Sequence, residues 1–261
     1  LKLSIGYSVS VLKQANAWDC RLLRLFQDRV AHPNVELVDV EPYHSFLPLV
    51  DLPMFCSRMA WARDHLEGVF GKRSFVTDTT EMLMSRGVYH ALERVGFGGV
   101  FMDGRPWVMG WREPTQLYHG GKNMTLLTRH YELSDDVGYR FSNKGWRGYP
   151  LLAETYAHWL RETWGDFIVL GWDYETFGEH HSEDTGIFEF MKQLPHQLTS
   201  RNVATLTPTE AIAKYRERSF YLPLPVFPST WAGEGGMEFF LGNDVQRAVF
   251  QLMLQSYNEA V

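Results

Sequence analysis

Cysteine, clusters of basic residues and long apolar runs are all scarce in this chain of 261 residues. The two cysteines, Cys20 and Cys56, form neither a metal-ligand spacing nor a disulfide framework, which favours a reducing, cytoplasmic compartment. No apolar run approaches the length of a membrane span, so a membrane partner is not expected. A net charge of −6 without a Lys/Arg block argues against a nucleic-acid partner.

Several catalytic motifs are missing as well. The Gly-x-Ser-x-Gly turn of serine hydrolases is absent, and neither cysteine lies in a nucleophile context. The glycine-rich run Gly96-Phe97-Gly98-Gly99 follows a predicted helix and precedes a predicted strand, which is the wrong order for a dinucleotide site. These absences leave carboxylates and histidines as the candidates for chemistry.

Apolar and aromatic residues are plentiful. Hydrophobic residues make up 45% of the chain and charged residues 21%, which is typical of a globular core. Aromatic residues reach 15%, with nine Trp among them. Aromatic faces line sugar-binding clefts, but they also fill protein cores, so composition leaves both roles open.

Strand and helix patterns alternate along the chain, which predicts an α/β fold with a parallel sheet closed, or nearly closed, into a barrel. The predicted strands are residues 1–7, 35–40, 75–77, 99–102, 124–128, 167–172 and 203–206. The predicted helices are residues 17–30, 81–95, a helix capped by Ser134, 150–163, 187–194, a helix opened by a capping box at Thr207, and 243–260. We expect a barrel domain over residues 1–236 and the start of a C-terminal helical element over residues 237–261.

The segment 167–181 is the most informative part of the sequence. The apolar run Phe167-Ile168-Val169-Leu170 resembles a strand buried on both faces, and Asp173 follows it. The carboxyl ends of such strands are where α/β barrel enzymes keep their active sites. Asp173 is therefore predicted to be catalytic, the alternative being a salt-bridged turn or a helix start.

Glu81 is the second candidate carboxylate. It follows the apolar piece Phe75-Val76 and the polar cluster Thr77-Asp78-Thr79-Thr80, which would place it at the same edge of the sheet as Asp173. Two carboxyl groups facing each other across a cleft are what cleavage of a glycosidic bond requires. The alternative is that Glu81 is a first-turn acid that stabilises a helix dipole.

Histidines raise the question of a metal ion. His180 and His181 are adjacent, so in an extended segment they point in opposite directions and do not easily bind one ion. A metal site formed by Asp173, His180 and the distant His44 stays open as an alternative, as do contacts to sugar hydroxyls. Glu36 interrupts an apolar run, and a buried acid needs either a structural partner or a place in the site.

Several separated blocks together resemble glycoside hydrolase family 57, in particular its α-amylase-like branch. The most specific block is Trp172-Asp173-Tyr174-Glu175-Thr176-Phe177-Gly178-Glu179-His180, which is similar to the fourth conserved region of the family. Thr80-Glu81-Met82 stands where the family carries its nucleophile. The other similar blocks are Asn34-Val35-Glu36-Leu37, residues 133–142 with Trp146, Ser229-Thr230-Trp231-Ala232, and residues 241–246.

The resemblance implies an incomplete (β/α)7 barrel and a retaining mechanism on α-1,4-glucans such as starch, maltodextrin or glycogen, without an organic cofactor or a metal. Glu81 would be the nucleophile, and Asp173 would be the general acid and base. The side chains expected to bind the glucan are Glu36, His44, Trp172, Glu175, His180 and Trp231.

This sequence departs from the family pattern in three places. The His-Gln-Pro motif of the first barrel strand is absent, and the chain opens at Leu1 in a strand pattern, so we expect a missing first strand and poor activity. Asp78-Thr79-Thr80 replaces a common Arg-Asn-Thr run, and Gly233 stands where an acid is usual, with Glu234 as a substitute of uncertain register. The alternatives are a catalytically weak glucan-binding protein, a 4-α-glucanotransferase, and a metal-dependent carbohydrate deacetylase.

Overall fold

Strands and helices both occur along residues 1–260, the part of the chain that the computed structural model describes, and they largely alternate up to residue 138. The strands are β1 (Leu3–Gly6), β2 (Val35–Val38), β3 (Val76–Thr77), β4 (Gly99–Asp103), β5 (Tyr118–His119), β6 (Thr125–Arg129) and β7 (Phe220–Tyr221). The helices are α1 (Val9–Trp18), α2 (Cys20–Ala31), α3 (Leu52–Phe70), α4 (Arg86–Val95), α5 (Pro106–Met109), α6 (Tyr131–Gly138), α7 (Ala153–Glu162), α8 (Ile187–Ser200), α9 (Pro208–Tyr215), α10 (Glu238–Leu241) and α11 (Asp244–Ala260).

The strands follow one another in space nearly as they do in sequence. β1 pairs in parallel with β2, and a second sheet has the order β3-β4-β6-β5-β7. A parallel bridge between Asp39 and Thr77 connects the two sheets, and another between Arg129 and Val169 extends the succession beyond β6. The parallel series therefore runs β1, β2, β3, β4, β6 and Val169, as expected for repeated strand–helix units that curve towards a barrel.

The central strands are buried on both faces because helices cover them. All five residues of β6 are buried, and β4 is buried except at Phe101. One core cluster fills the space between these strands and helices α3 and α4, around Phe55, Tyr89 and Leu126. A second cluster joins α6, α7 and α8. Packing of this kind fixes the carboxyl ends of the parallel strands at one edge of the sheet.

Two predicted elements differ from the structure at the start of the chain and near residue 170. The helix predicted over residues 17–30 is α2, which begins only at Cys20 because Asp19 caps it by accepting a hydrogen bond from the Arg21 backbone, and the preceding helix α1 was not predicted. Trp18, expected on the apolar side of the predicted helix, ends α1 and is 82% exposed. The strand predicted over residues 167–172 is reduced to the single bridge at Val169, and the segment is only half-buried. Its apolar residues pack against helices rather than forming a full strand ladder.

Helix boundaries give a mixed outcome. The capping box at Thr207 is confirmed. Ser134 is not a cap but lies inside α6, which begins after His130, and the Ser134 hydroxyl accepts a hydrogen bond from the backbone of Gly171. The helix predicted from residue 81 begins at Arg86, capped by Ser85. No strand forms at residues 203–206.

The C-terminal helix α11 contacts the barrel side through Tyr257, whose hydroxyl donates a hydrogen bond to Asp51 at 2.8 Å. The predicted division between residues 1–236 and 237–261 stays a prediction, and its last residue, Val261, lies outside the described residues. Within residues 1–260, every helix is too short or too polar to cross a membrane.

Candidate active site

Four polar side chains stand at the carboxyl ends of the parallel strands. Asp78 follows β3, Asp103 ends β4, Arg129 ends β6, and Asp173 lies four residues beyond the bridge at Val169. Because parallel strands end at a common edge, these groups converge there, where α/β barrels place their active sites. Glu81 reaches the same edge from a short 3₁₀ turn, Thr80–Met82, three residues after Asp78.

The backbone around Glu81 is strained. Glu81 and Met82 have φ angles of 57° and 51°, and His44 has 52°, in the left-handed region that side chains rarely adopt. They are three of the four non-glycine residues with positive φ in residues 1–260, the fourth being Asn202. Such conformations cost about 1–3 kcal/mol each and cluster at functional sites. Glu81 therefore lies in a strained turn and does not begin a helix, so it is not the first-turn acid of the alternative interpretation.

Both oxygens of the Glu81 carboxylate are held in place. His44 Nε2 lies 2.9 Å from one oxygen, and the indole nitrogen of Trp231 donates to the other at 2.8 Å. The backbone of Trp231 also donates to the Glu81 carbonyl at 3.0 Å. These contacts stabilise the charged carboxylate. The hydrogen bond with His44 is the main cause that lowers the pKa of Glu81, and the same bond raises the pKa of His44.

Asp173 experiences the opposite shift. Although Asp173 is exposed overall, partial desolvation of its carboxyl group is the main cause that raises its pKa. The negative charges of Glu175 and Glu81 add to the effect, while His180 opposes it. The influence of Glu81 means that the two carboxyl groups share one electrostatic site. One acid is therefore stabilised as a carboxylate while its neighbour is stabilised in the protonated form, as a general acid requires.

A third acid, Asp78, lies in the same site. Burial raises the pKa of Asp78 to about 7, and the charge of Asp173 contributes in the same direction. One of its carboxyl oxygens accepts a hydrogen bond from the backbone of Thr79 at 2.7 Å. Asp78 was not among the predicted site residues, although its position directly after a short strand was a usable signal.

A buried network of ion pairs and hydrogen bonds lies next to the site. Arg129 donates to Gly171 O at 3.1 Å, to Asp103 at 3.0 Å and to Asp135 at 2.6 Å. Its guanidinium also lies 5.2 Å from the centre of the Trp231 ring. Arg129 therefore contacts both the segment that carries Asp173 and the indole that holds Glu81.

Arg105 completes this network. Its side chain donates to Asp103 at 2.7 Å and to the Trp231 carbonyl at 2.7 Å. Arg105, Arg129 and Asp103 were not predicted from the sequence, because ion pairs between separate strands leave no local pattern. The available signal was the position of Asp103 and Arg129 at predicted strand ends.

The predicted glucan-binding residues divide into two groups. His44 and Trp231 contact Glu81 directly, and Glu175 and His180 are exposed and close enough to Asp173 for their charges to act on its pKa. Glu36 is elsewhere.

Glu36 and Trp172 have structural partners instead. The Glu36 carboxylate accepts hydrogen bonds from the backbone and the hydroxyl of Thr209, at the first turn of α9, and this occupies both oxygens. The Trp172 indole donates to Ser134 O at 2.8 Å, and its ring packs edge-on against Phe177. Both side chains therefore have partners within the protein, and the expectation that they bind a glucan stays a prediction.

Metal ligation receives no geometric support from the described part of the chain. In residues 1–260, no three His, Cys, Asp or Glu side chains are grouped so that they could hold an ion. His181 is buried, with Nδ1 2.9 Å from the hydroxyl of Ser142. The two adjacent histidines thus have different surroundings, as their sequence positions predicted.

Comparisons with known proteins agree on one family. The model of glycosyl hydrolase family 57 matches residues 1–225. A protein of Methanocaldococcus jannaschii named "Putative alpha-amylase" is 34% identical over 252 residues, which are 95% of this chain and 54% of that protein. The chain thus spans about half the length of this relative.

Solved structures show the same fold at low sequence identity. An exo-type maltose-forming amylase from Pyrococcus sp. ST04 superposes with a TM-score of 0.72 at 13% identity, covering 92% of this chain and 44% of that one. The 4-alpha-glucanotransferase from Thermococcus litoralis gives 0.68 at 17% identity, with 87% and 36% covered. These likenesses confirm the predicted fold class, an incomplete (β/α)7 barrel.

Proposed function

The chain belongs to glycosyl hydrolase family 57, and on this basis we propose that it is a retaining glycosidase acting on α-1,4-glucans. The observation that carries the proposal is the pair of opposite pKa shifts at one site. The pKa of Glu81 is lowered by His44 and Trp231, whereas that of Asp173 is raised by partial desolvation. Two carboxyl groups with separated pKa values are what a nucleophile and a general acid need.

In the first half of the reaction, a Glu81 oxygen attacks the anomeric carbon of the bound sugar. Asp173 donates its proton to the glycosidic oxygen, the bond to the leaving chain breaks, and a glycosyl ester with Glu81 forms. In the second half, Asp173 accepts a proton from water as that water attacks the anomeric carbon. The ester bond then breaks, and both carboxyl groups return to their starting states.

His44 and Trp231 have a defined part in this sequence. Each bonds one oxygen of Glu81, so the carboxylate is oriented before the substrate arrives. Glu175 and His180 are exposed beside Asp173 and are available for sugar hydroxyls. The name of the solved glucanotransferase favours a second candidate, in which the hydroxyl of another glucan replaces water in the second half.

Substitution of the two acids tests the proposal. Glu81→Gln and Asp173→Asn should each lower the release of reducing ends from maltoheptaose by about 10²–10⁴-fold or more, because each removes one chemical role. The matched control is Glu189→Gln, an exposed acid on α8, which should keep the parent rate. Equal rates in all four proteins would refute the mechanism.

Product analysis separates hydrolysis from transfer and retention from inversion. Under retention, NMR of the first product shows the α-anomer before mutarotation, whereas the β-anomer would refute the double displacement. Oligosaccharides longer than maltoheptaose would indicate transfer to a sugar hydroxyl, and shorter products alone would indicate hydrolysis.

A further inference from the structure

An exposed row of rings lies beside the candidate active site. The rings of Tyr43 and Trp61 are 6.3 Å apart between centroids with planes inclined by 13°, and Trp61 and His65 are 5.3 Å apart at 19°. We call Tyr43, Trp61 and His65 the aromatic row. Tyr43 is 43% exposed and Trp61 is 42% exposed, so the row keeps a large apolar surface in contact with water. Apolar surface grouped in this way marks a binding site more often than scattered exposed residues do.

Positive charges border the aromatic row. Lys13 Nζ lies 3.5 Å from the Tyr43 hydroxyl and within 5.8 Å of the centres of both the Tyr43 and Trp61 rings. The guanidinium of Arg58 lies 5.3 Å from the centre of the Tyr43 ring. These cations lie over part of the ring faces, and Arg58 is also 3.9 Å from a carboxylate oxygen of Glu41. The surface therefore combines exposed aromatic rings with cationic hydrogen-bond donors.

The loop that carries Tyr43 also carries a residue of the catalytic site. Glu41 is buried, and its carboxylate accepts hydrogen bonds from the backbones of Tyr43 at 2.9 Å and Ser45 at 2.7 Å. These bonds fix the loop. His44, next to Tyr43, bonds Glu81, so the aromatic row begins one residue, about 3.8 Å along the backbone, from the nucleophile's partner.

We propose that the aromatic row is an accessory binding site for an α-glucan chain, continuous with the catalytic site. The faces of pyranose rings carry C–H groups that pack on aromatic rings, and their hydroxyls require donors and acceptors at the edge. Tyr43, Trp61 and His65 supply the first, and Lys13 and Arg58 supply the second. The inference rests on the proposed function, because that function provides the glucan.

The expected consequence is a preference for long chains. A polymer bound at the aromatic row keeps its other units near Glu81 and Asp173 at a high effective concentration, which a trisaccharide too short to reach both sites cannot do. Glycogen is therefore the probe, since it offers many chains of sufficient length.

Native electrophoresis in gels that contain glycogen measures the affinity directly. The Glu81→Gln protein is the parent, because it should not digest the gel. Trp61→Ala and Tyr43→Ala in this parent should each weaken glycogen binding by about 3- to 10-fold. Trp61→Phe, which keeps a ring, should recover most of the affinity. Trp164→Ala removes a 76% exposed Trp elsewhere on the surface and should bind like the parent.

The outcomes separate the two proposals. If the unmodified protein hydrolyses maltoheptaose but Trp61→Ala and Tyr43→Ala bind glycogen as tightly as the parent, the aromatic row is refuted and the proposed function stands. An equal loss of affinity in Trp164→Ala would also refute the row, because the effect would not be local. If the unmodified protein neither binds nor cleaves an α-glucan, both proposals fail. Circular dichroism of each variant checks that it is folded.

Discussion

Replacement of Arg129 by Met should destabilise the protein strongly. The Arg129 side chain is 6% exposed, and its three nitrogens donate to Gly171, Asp103 and Asp135. Methionine fills a similar volume but donates no hydrogen bond. Asp103, whose side chain is 1% exposed, would then keep Arg105 alone as a charged partner. The variant thus leaves a buried carboxylate only partly compensated.

The size of the effect follows from this burial. Removal of one partner of a buried ion pair costs about 3–5 kcal/mol, which is a large share of the roughly 5–15 kcal/mol that stabilise a typical domain. With a urea m-value of about 3 kcal/mol/M, the midpoint of unfolding should fall by about 1 M or more. Urea titration followed by Trp fluorescence measures this shift.

The matched control is Arg73→Met. Arg73 pairs with Asp64 at 2.9 Å and with Glu67, but its side chain is 47% exposed, so we expect a much smaller loss of stability than in Arg129→Met. The double variant Asp103→Asn/Arg129→Met should regain part of the stability lost in Arg129→Met, because the uncompensated charge is gone. If Arg129→Met unfolds within 1 kcal/mol of Arg73→Met, the buried network does not have the energetic role inferred from its geometry.

Further predictions concern the pH profile, the metal question and one helix. Trp231→Phe removes a hydrogen bond to the Glu81 carboxylate, so the pKa of Glu81 should rise and kcat/KM should fall about 10- to 100-fold, with the acid limb of its pH profile moved to higher pH. Because the pKa of Asp173 is raised, its carboxyl group keeps its proton to a higher pH than an ordinary Asp does. Activity should therefore decline as the pH rises through the pKa of Asp173. Asp173→Asn should abolish this alkaline limb, and an unchanged limb would assign it to another group. Treatment with EDTA should leave the rate unchanged because two carboxyl groups perform both steps, whereas loss of activity would favour the deacetylase alternative. Thr207→Ala should cost about 1 kcal/mol through loss of the capping box, measured by urea unfolding.

The catalytic candidates were predictable from the sequence because each follows an apolar run. Asp173 comes after residues 167–170 and Glu81 after residues 75–76. Local patterns of this kind can be recognised without knowledge of the tertiary contacts. Trp231 was predicted only through the resemblance to a family, and His44 was otherwise considered only as a metal ligand. Their contacts with Glu81 span 150 and 37 residues, and no periodicity encodes such pairs.

The errors have physical causes of the same kind. An acid in an apolar strand needs a partner, and the partner of Glu36 is Thr209, 173 residues away, which no local pattern could identify. The strand expected at residues 167–172 has a suitable composition, but a single bridge pairs it with β6, and tertiary packing decides its conformation. The helix predicted from residue 17 begins at Cys20, because the Asp19 side chain bonds the backbone of Arg21 and so separates α2 from α1.

The bond between Glu81 and Trp231 has a consequence for synthesis of the protein. Translation proceeds at about 5–20 residues per second, so a growing polypeptide carries Glu81 for roughly 8–30 s before the ribosome adds Trp231. During that interval the acid lacks the indole that orients one of its oxygens. The orientation of that oxygen is therefore completed only when residue 231 has left the ribosome and packed against Glu81.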